Sequence, residues 1–329
     1  MKILGVIKVI VNTIMPILYI VLGIVIFIGI VLFLTTYICY LITFHVREKD
    51  KTFKEEFPLP DYKEYIPFHD EILNGMKFSK TLETKDHYIT SFDGLKLHAK
   101  YYECNNSNVV EIMIHGYRGS AYRDLSVGIQ RAFAVGHSVL LIDQRASSLS
   151  EGNTISFGIN ERHDCISWVH YVINNINKDM KIILTGVSMG AATVMMASNM
   201  ELPNNVIGVL ADCGYTSPKE IIWKCTKDMK LPPKIFYPFI KLSAKIFGHF
   251  DLEETSALEA VKTTKLPIIF YHGTKDDFVP CYMSEKLFEE CISDKRLVLI
   301  DDCGHGLAYL VDKQKYIEEL KDFFFKYKA

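Results

Sequence analysis

The spacing of apolar and polar positions changes character three times along the chain. From Val9 to Val46 there is no Asp, Glu, Lys or Arg, and residues 14–42 are almost wholly Ile, Val, Leu, Phe, Tyr and Gly. A bilayer core about 30 Å thick takes roughly 20 helical residues, so this run is long enough to cross once with tilt. A signal-peptide apolar region is typically only about 7–15 residues and is followed by a small-residue cleavage site. Neither feature fits, and residues 1–46 are predicted to be an uncleaved membrane anchor. Residues 45–80 turn charged and are punctuated by Pro58, Pro60 and Pro67. They predict a neck or linker, over about 47–80, lying across the domain or the membrane surface. From His87 the period becomes two: Tyr88–Phe92 and Leu95–Tyr101 are joined by Asp93-Gly94, a hairpin signal.

Beyond the hairpin, short β-rich runs alternate with helix-length segments. The runs are Val109–Ile114, Val139–Ile142, Ile182–Val187, Val206–Ala211, Ile268–Tyr271 and Leu297–Ile300, and an amphipathic helix is predicted over Asp312–Lys328. Alternation of this kind predicts an α/β domain over 81–329 with a mostly parallel, doubly wound sheet. In such sheets chemistry collects at the carboxyl ends of the strands. Here those ends carry His115-Gly116-Tyr117, Asp143-Gln144-Arg145, Ser188, His272-Gly273-Thr274-Lys275-Asp276 and Asp301-Asp302-Cys303-Gly304-His305.

Gly186-Val187-Ser188-Met189-Gly190 is a G-x-S-x-G sequence directly behind the run Ile182–Thr185. A sharp strand-to-helix turn there presents the serine hydroxyl, and the flanking glycines leave room for that turn. A serine hydroxyl is a poor nucleophile unless a base, itself oriented by a carboxylate, lies within reach. Ser188, Asp276 and His305 occur in the order serine, acid, histidine, each just past a different predicted strand. For the acid, Asp212 and Asp277 are rivals, while Asp301 and Asp302 read as turn residues. The backbone N–H groups of Met189 and Tyr117 are predicted to form the oxyanion hole.

With these residues assembled, the chain resembles the α/β-hydrolase superfamily, and within it the bacterial serine aminopeptidase-like branch of esterase, lipase and peptidase-type hydrolases. The resemblance covers about residues 80–329. It rests on residues 91–97 (Ser-Phe-Asp-Gly-Leu-Lys-Leu), Ile114-His115-Gly116, Asp143-Gln144-Arg145, the 186–190 elbow, residues 267–276, Val279-Pro280 and Gly304-His305. It implies an α/β-hydrolase fold with a small helical lid. One departure stands out: the family's Asp-x-Arg-x-His-Gly loop reads Asp143-Gln144-Arg145-Ala146-Ser147-Ser148 here, which implies an altered loop shape, with Arg145 bracing it. The insert of about 218–266 carries Trp223, Phe236, Tyr237, Phe239 and Phe247. It reads as packed helices whose aromatic face also shapes an apolar acyl pocket beside Ser188.

Charge and cysteine content narrow the picture further. The net charge is −2, and −4 without Lys2 and Lys8 (35 basic against 39 acidic residues), so no basic surface for nucleic acid is predicted. Cys39 lies in the anchor, and the other seven cysteines have no paired spacing, which suggests reduced thiols rather than a disulfide framework or a zinc site. No dinucleotide or P-loop motif occurs, so no cofactor or metal is expected. Lys2 and Lys8 flank the anchor on one side and Arg47, Lys49, Lys51 and Lys54 on the other, a count that favours a cytoplasmic catalytic domain on a single-pass protein. The expected function is a membrane-anchored serine hydrolase that cleaves an ester or amide through an acyl-enzyme and takes a small-molecule, peptide or lipid acyl substrate. The alternatives are a peptidase or acyltransferase with the same triad, or a membrane-tethered binding domain without turnover. Oligomeric state is not readable from the sequence.

Overall fold

In a computed structural model of the protein the described residues are 10–52 and 55–327, together with Ile3 and Ile7. Lys2, Lys8, Val9 and Lys54, which bound the predicted anchor and its basic flanks, and Lys328, the predicted end of the last helix, lie outside them. Helix α1 (Met15–Thr43) follows a single wide turn at Ile10–Ile14 and has Pro16 in its first turn, where a missing N–H costs nothing. Among the described residues Ile10–Thr43 is the one stretch long and apolar enough to cross a membrane. Helix α2 (His69–Thr81) then lies inside the segment predicted as linker. Its buried residues Ile72, Gly75, Met76 and Ser79 fall at helical spacing, but only two of them are large and apolar, so the stripe is faint in sequence. A Cβ on Gly75 would come within 2.7 Å of Val127 on α3 (Ala121–Ala134), so glycine sets how closely these two helices pack.

The predicted runs all fall within strands of one eight-stranded sheet: β1 (Lys85–Thr90), β2 (Lys96–Tyr102), β3 (Val109–Ile114), β4 (Ser138–Asp143), β5 (Lys181–Val187), β6 (Val206–Asp212), β7 (Ile268–Gly273) and β8 (Lys295–Ile300). Their spatial order is β1-β2-β4-β3-β5-β6-β7-β8. The β1–β2 hairpin is antiparallel and β2 runs antiparallel to β4, while β3 to β8 are parallel. Side chains alternate between two cores. Ile112, Ile114 and Leu184 face α4 (Glu161–Tyr171) and α5 (Met189–Ala197), whereas Met113 and Leu141 face α3, and Ile183 and Tyr271 face α11 (Lys313–Phe325), which follows the short α10 (Ala308–Val311). The insert forms α6 (Pro218–Asp228) and α7 (Pro233–Phe247), followed by α8 (Ala257–Val261) and, after β7, α9 (Tyr282–Glu290). Strand β3 has β4 on one side and β5 on the other, so the winding reverses there. The crevice beyond the ends of β3 and β5 is where an open parallel sheet places a ligand.

Candidate active site

Ser188 follows β5 with φ 57° and ψ −118°. An L-residue held so far outside the ordinary regions stores about 1–3 kcal/mol of strain, and such strain persists only where the surroundings over-determine it. Here the Ser188 N–H donates to the Asp212 carbonyl at 2.8 Å, and the Ser188 carbonyl accepts from Ala192 N–H at 3.1 Å. The glycines two residues away on each side are sterically required. A Cβ on Gly186 would sit 2.2 Å from the Gly190 backbone, and one on Gly190 would sit 2.0 Å from the Ile114 carbonyl oxygen.

His305 lies in the loop after β8. Its Nδ1 is 2.6 Å from Asp276 Oδ2. The other Asp276 oxygen, Oδ1, accepts the backbone N–H groups of Phe278 (2.9 Å) and Val279 (2.8 Å). Burial works against the charge on Asp276, but the hydrogen bonds and charge of His272 and His305 more than offset it and hold this carboxyl down at about 2. No role follows for His272 from its place in the sequence alone. It is fully buried, with Nε2 3.2 Å from Asp276 Oδ2 and 2.8 Å from the Val279 carbonyl, and Nδ1 2.6 Å from Ser284 Oγ. Among the described residues neither rival acid hydrogen-bonds His305. Asp212 accepts from the Tyr316 hydroxyl at 3.0 Å, and burial pushes its carboxyl up to about 6. Asp277 contributes its backbone carbonyl to Lys224.

The loop after β3 passes directly over the serine, since a Cβ on Gly116 would lie 3.8 Å from Ser188 Oγ. Buried His115 fixes this loop. Its Nδ1 is 2.8 Å from the Gly116 carbonyl and its Nε2 accepts the Gln144 N–H at 3.2 Å, an arrangement that takes a neutral ring; burial lowers its pKa accordingly. Neither the Tyr117 nor the Met189 backbone N–H has a protein acceptor among the described residues. Arg145 pairs with Asp164 through two hydrogen bonds and with Asp93 through two more, tying the departure loop to the β1–β2 turn. Within that loop Ser147 Oγ donates to the Gly119 carbonyl, and Ser148 N–H donates to the carbonyl of Lys51, just past α1. The replacement of His-Gly by Ser147-Ser148 therefore falls where the segment after α1 docks.

Ser188 and His305 line one cavity of about 930 Å³. Its outer wall corrects the sequence reading. None of the lining residues belongs to the 218–266 insert; the wall comes instead from the neck, including Phe57, Leu59, Tyr62, Glu64 and Tyr65. The insert's aromatic residues are used elsewhere: Phe247 packs on α1 and Trp223 on Tyr237. Tyr65 donates its hydroxyl to the His305 carbonyl at 2.6 Å. A Cβ on Gly304 would come within 2.5 Å of the Glu64 carboxylate, and one on Gly306 within 2.9 Å of the Tyr65 hydroxyl. The glycines beside His305 are thus there to admit the neck, a contact about 240 residues away in sequence that no local pattern announces.

Cys213, Asp276 and His305 bring potential metal-ligand atoms within 4.8 Å of one another. This donor set does not suit a resident metal. Burial, with Asp212 and Asp276 nearby, raises the Cys213 thiol well above its ordinary value, and both Asp276 oxygens are already taken up.

A model of the prolyl oligopeptidase family matches residues 147–329, more than half of the chain. The chain belongs to the prolyl oligopeptidase family. That membership places it among the hydrolases of α/β type, the superfamily its motifs resemble. The fold agrees: the esterase Pf2001 of Pyrococcus furiosus superposes with a TM-score of 0.62 at 20% identity, over 84% of this chain and all of the esterase. Among curated proteins, the uncharacterized protein YqkD of Bacillus subtilis is 25% identical over 190 residues, 57% of this chain and 62% of YqkD. The chain thus spans about three-fifths of that relative's length. The uncharacterized membrane protein YNL320W of Saccharomyces cerevisiae is 25% identical over 253 residues, 76% of this chain and 80% of the yeast protein. The family match begins at residue 147, so Ser188, Asp276 and His305 lie inside it, whereas Tyr117, the neck and α1 lie outside.

Proposed function

We propose that this prolyl oligopeptidase-family chain is a single-pass, membrane-anchored serine hydrolase that works through an acyl-enzyme. In this reading residues 1–46 anchor the chain, 47–80 form the neck, and 81–329 form the catalytic domain on the cytoplasmic side. Ser188 attacks the carbonyl carbon of an ester or amide while His305 Nε2 takes its proton. Asp276, kept ionised, holds Nδ1–H and stabilises the imidazolium that forms. The Tyr117 and Met189 N–H groups receive the oxyanion, His305 returns the proton to the leaving group, and water activated by the same histidine releases the acyl group. The observation that carries the reading is the strained Ser188 elbow opening into the same cavity as a histidine whose Nδ1 is held by a buried aspartate.

Fluorophosphonate labelling tests it: the wild type labels, and Ser188→Ala does not. Undiminished labelling of the variant removes Ser188 as nucleophile, and a panel of esters, thioesters and peptides that the wild type leaves untouched favours a binding domain instead. The family's name carries a second reading, peptide cleavage, while the similar fold of an esterase supports the first. The same panel separates the two by relative kcat/KM, and added alcohol or amine acceptors reveal acyl transfer.

A further inference from the structure

Helix α7 is apolar on two faces. Tyr237, Ile240, Ser243 and Ala244 are buried against the domain, while Ile235, Leu242 and Ile246 are 59%, 45% and 46% exposed, with exposed Pro238 between them. A helix that is apolar nearly all round is not built to face water. Its C-terminal end lies against α1. The Phe247 ring is 5.7 Å from Phe33, 5.1 Å from Tyr37 and 5.7 Å from Tyr40.

The depth of that contact follows from α1 itself. Leu34, Ile38 and Ile42 are each about half exposed at i, i+4 and i+8, on the side away from buried Thr36 and Tyr40, and the first charged residue after them is Arg47. A bilayer edge placed before Leu34 would leave this stripe in water, at a cost of roughly 25 cal/mol per Å² of apolar surface. The edge therefore lies near Ile42–Arg47. At 1.5 Å per residue, Phe33 is then about 15 Å further in than Thr43. Phe247, in contact with Phe33 and Tyr37, sits below the membrane surface.

We infer that α7 is a second membrane-contacting element, lying in the bilayer interface beside α1 with Ile235, Pro238, Leu242 and Ile246 against lipid acyl chains. Exposed Lys234 and Lys245 flank this stripe, where long side chains reach back to lipid phosphates. The inference rests on α1 crossing the membrane.

The test uses the full chain with Trp223→Phe, which leaves only the fully buried Trp168. It is reconstituted into phosphatidylcholine vesicles with or without brominated acyl chains. One further tryptophan at a time is added by Ile26→Trp in α1, Leu242→Trp and Ile246→Trp in α7, and Ile292→Trp, which precedes β8 at the end of the sheet opposite the site, and the emission of the Trp223→Phe chain, which is that of Trp168, is subtracted. Brominated lipid is expected to remove most emission at positions 26, 242 and 246 and to leave 292 unchanged. Quenching at 26 with none at 242 and 246 overturns the inference while the anchor stands; blue-shifted emission there would assign the face to a second copy of the chain, and red-shifted emission to water. No quenching at 26 overturns the anchor and this inference together.

Discussion

Two histidine–aspartate pairs sit at opposite ends of the same sheet, and only one of them is left open. His98 on β2 has its Nδ1 2.7 Å from Asp143 and its Nε2 2.8 Å from Asp86, so both ring nitrogens are occupied by carboxylates. His305 has its Nδ1 on Asp276, while its Nε2 has no protein partner among the described residues and the ring faces the cavity. In chemical type the pairs are alike; what separates them is the second nitrogen. A base that must take a proton from a serine needs that nitrogen free, whereas a ring bonded on both sides can only hold strands together. His98 does this where the antiparallel β1–β2 hairpin meets β4, and the two carboxylates keep it charged to higher pH against the opposing effect of burial.

Deleting each ring in turn separates the two roles. His305→Ala is expected to lower kcat/KM on a p-nitrophenyl ester by about 10³-fold or more, with an unchanged unfolding midpoint. Asp276→Asn should come next, with a loss of about 10³–10⁴-fold in kcat and little change in KM, because the amide leaves the imidazole in the wrong tautomer and its charged form unsupported. Equal activity of this variant and wild type would remove Asp276 from the mechanism. His98→Ala is expected to do the reverse, leaving kcat/KM within a factor of two or so while costing about 2 kcal/mol of stability, since it strands Asp143. Its pH dependence has a definite sign. The folded pKa of His98 lies above the unfolded one, so its contribution is complete below about pH 6.5 and is lost as pH rises through the folded value. The stability gap between wild type and His98→Ala, measured by urea unfolding, should therefore narrow from pH 6 to pH 9.

The same contrast marks what the sequence can and cannot show. The strands were legible because β-rich apolar runs are local, and the elbow because its G-x-S-x-G spacing is local, although Gly186 is fixed within the turn and Gly190 by the Ile114 carbonyl of β3. The order of serine, acid and histidine was legible because strand ends can be counted. What stayed hidden was side-chain partnership at long range. Position past a strand end set His305 apart, but nothing local shows that both ring nitrogens of His98 are bonded to carboxylates. Glu111 in the middle of β3 interrupts an apolar run, and its buried partners Arg131, His137 and Thr185 come from three other segments. The neck reads as a linker because its prolines and charges are those of a linker. Its role as a wall depends on Glu64 and Tyr65 meeting a loop from the far end of the chain.

The smallest expected effect concerns Asp212, whose backbone carbonyl holds the Ser188 N–H while its carboxyl accepts from Tyr316 and keeps Oδ1 without a partner. Burial raises this carboxyl to about 6, above the 3.9 or so of an unfolded aspartate, so the folded state binds the proton more tightly. Stability from this group is then lost as pH rises from about 4 through 6, the opposite direction to a salt-bridged aspartate. Asp212→Asn keeps the shape, keeps an acceptor for Tyr316 and carries no charge. It is expected to flatten that part of the stability–pH curve, to leave the protein at least as stable as wild type at pH 8, and to change kcat/KM by no more than about threefold. A loss near that of Asp276→Asn would instead make Asp212 the carboxylate that supports His305, and the distinction between the open pair and its closed counterpart would have to be redrawn around a different acid.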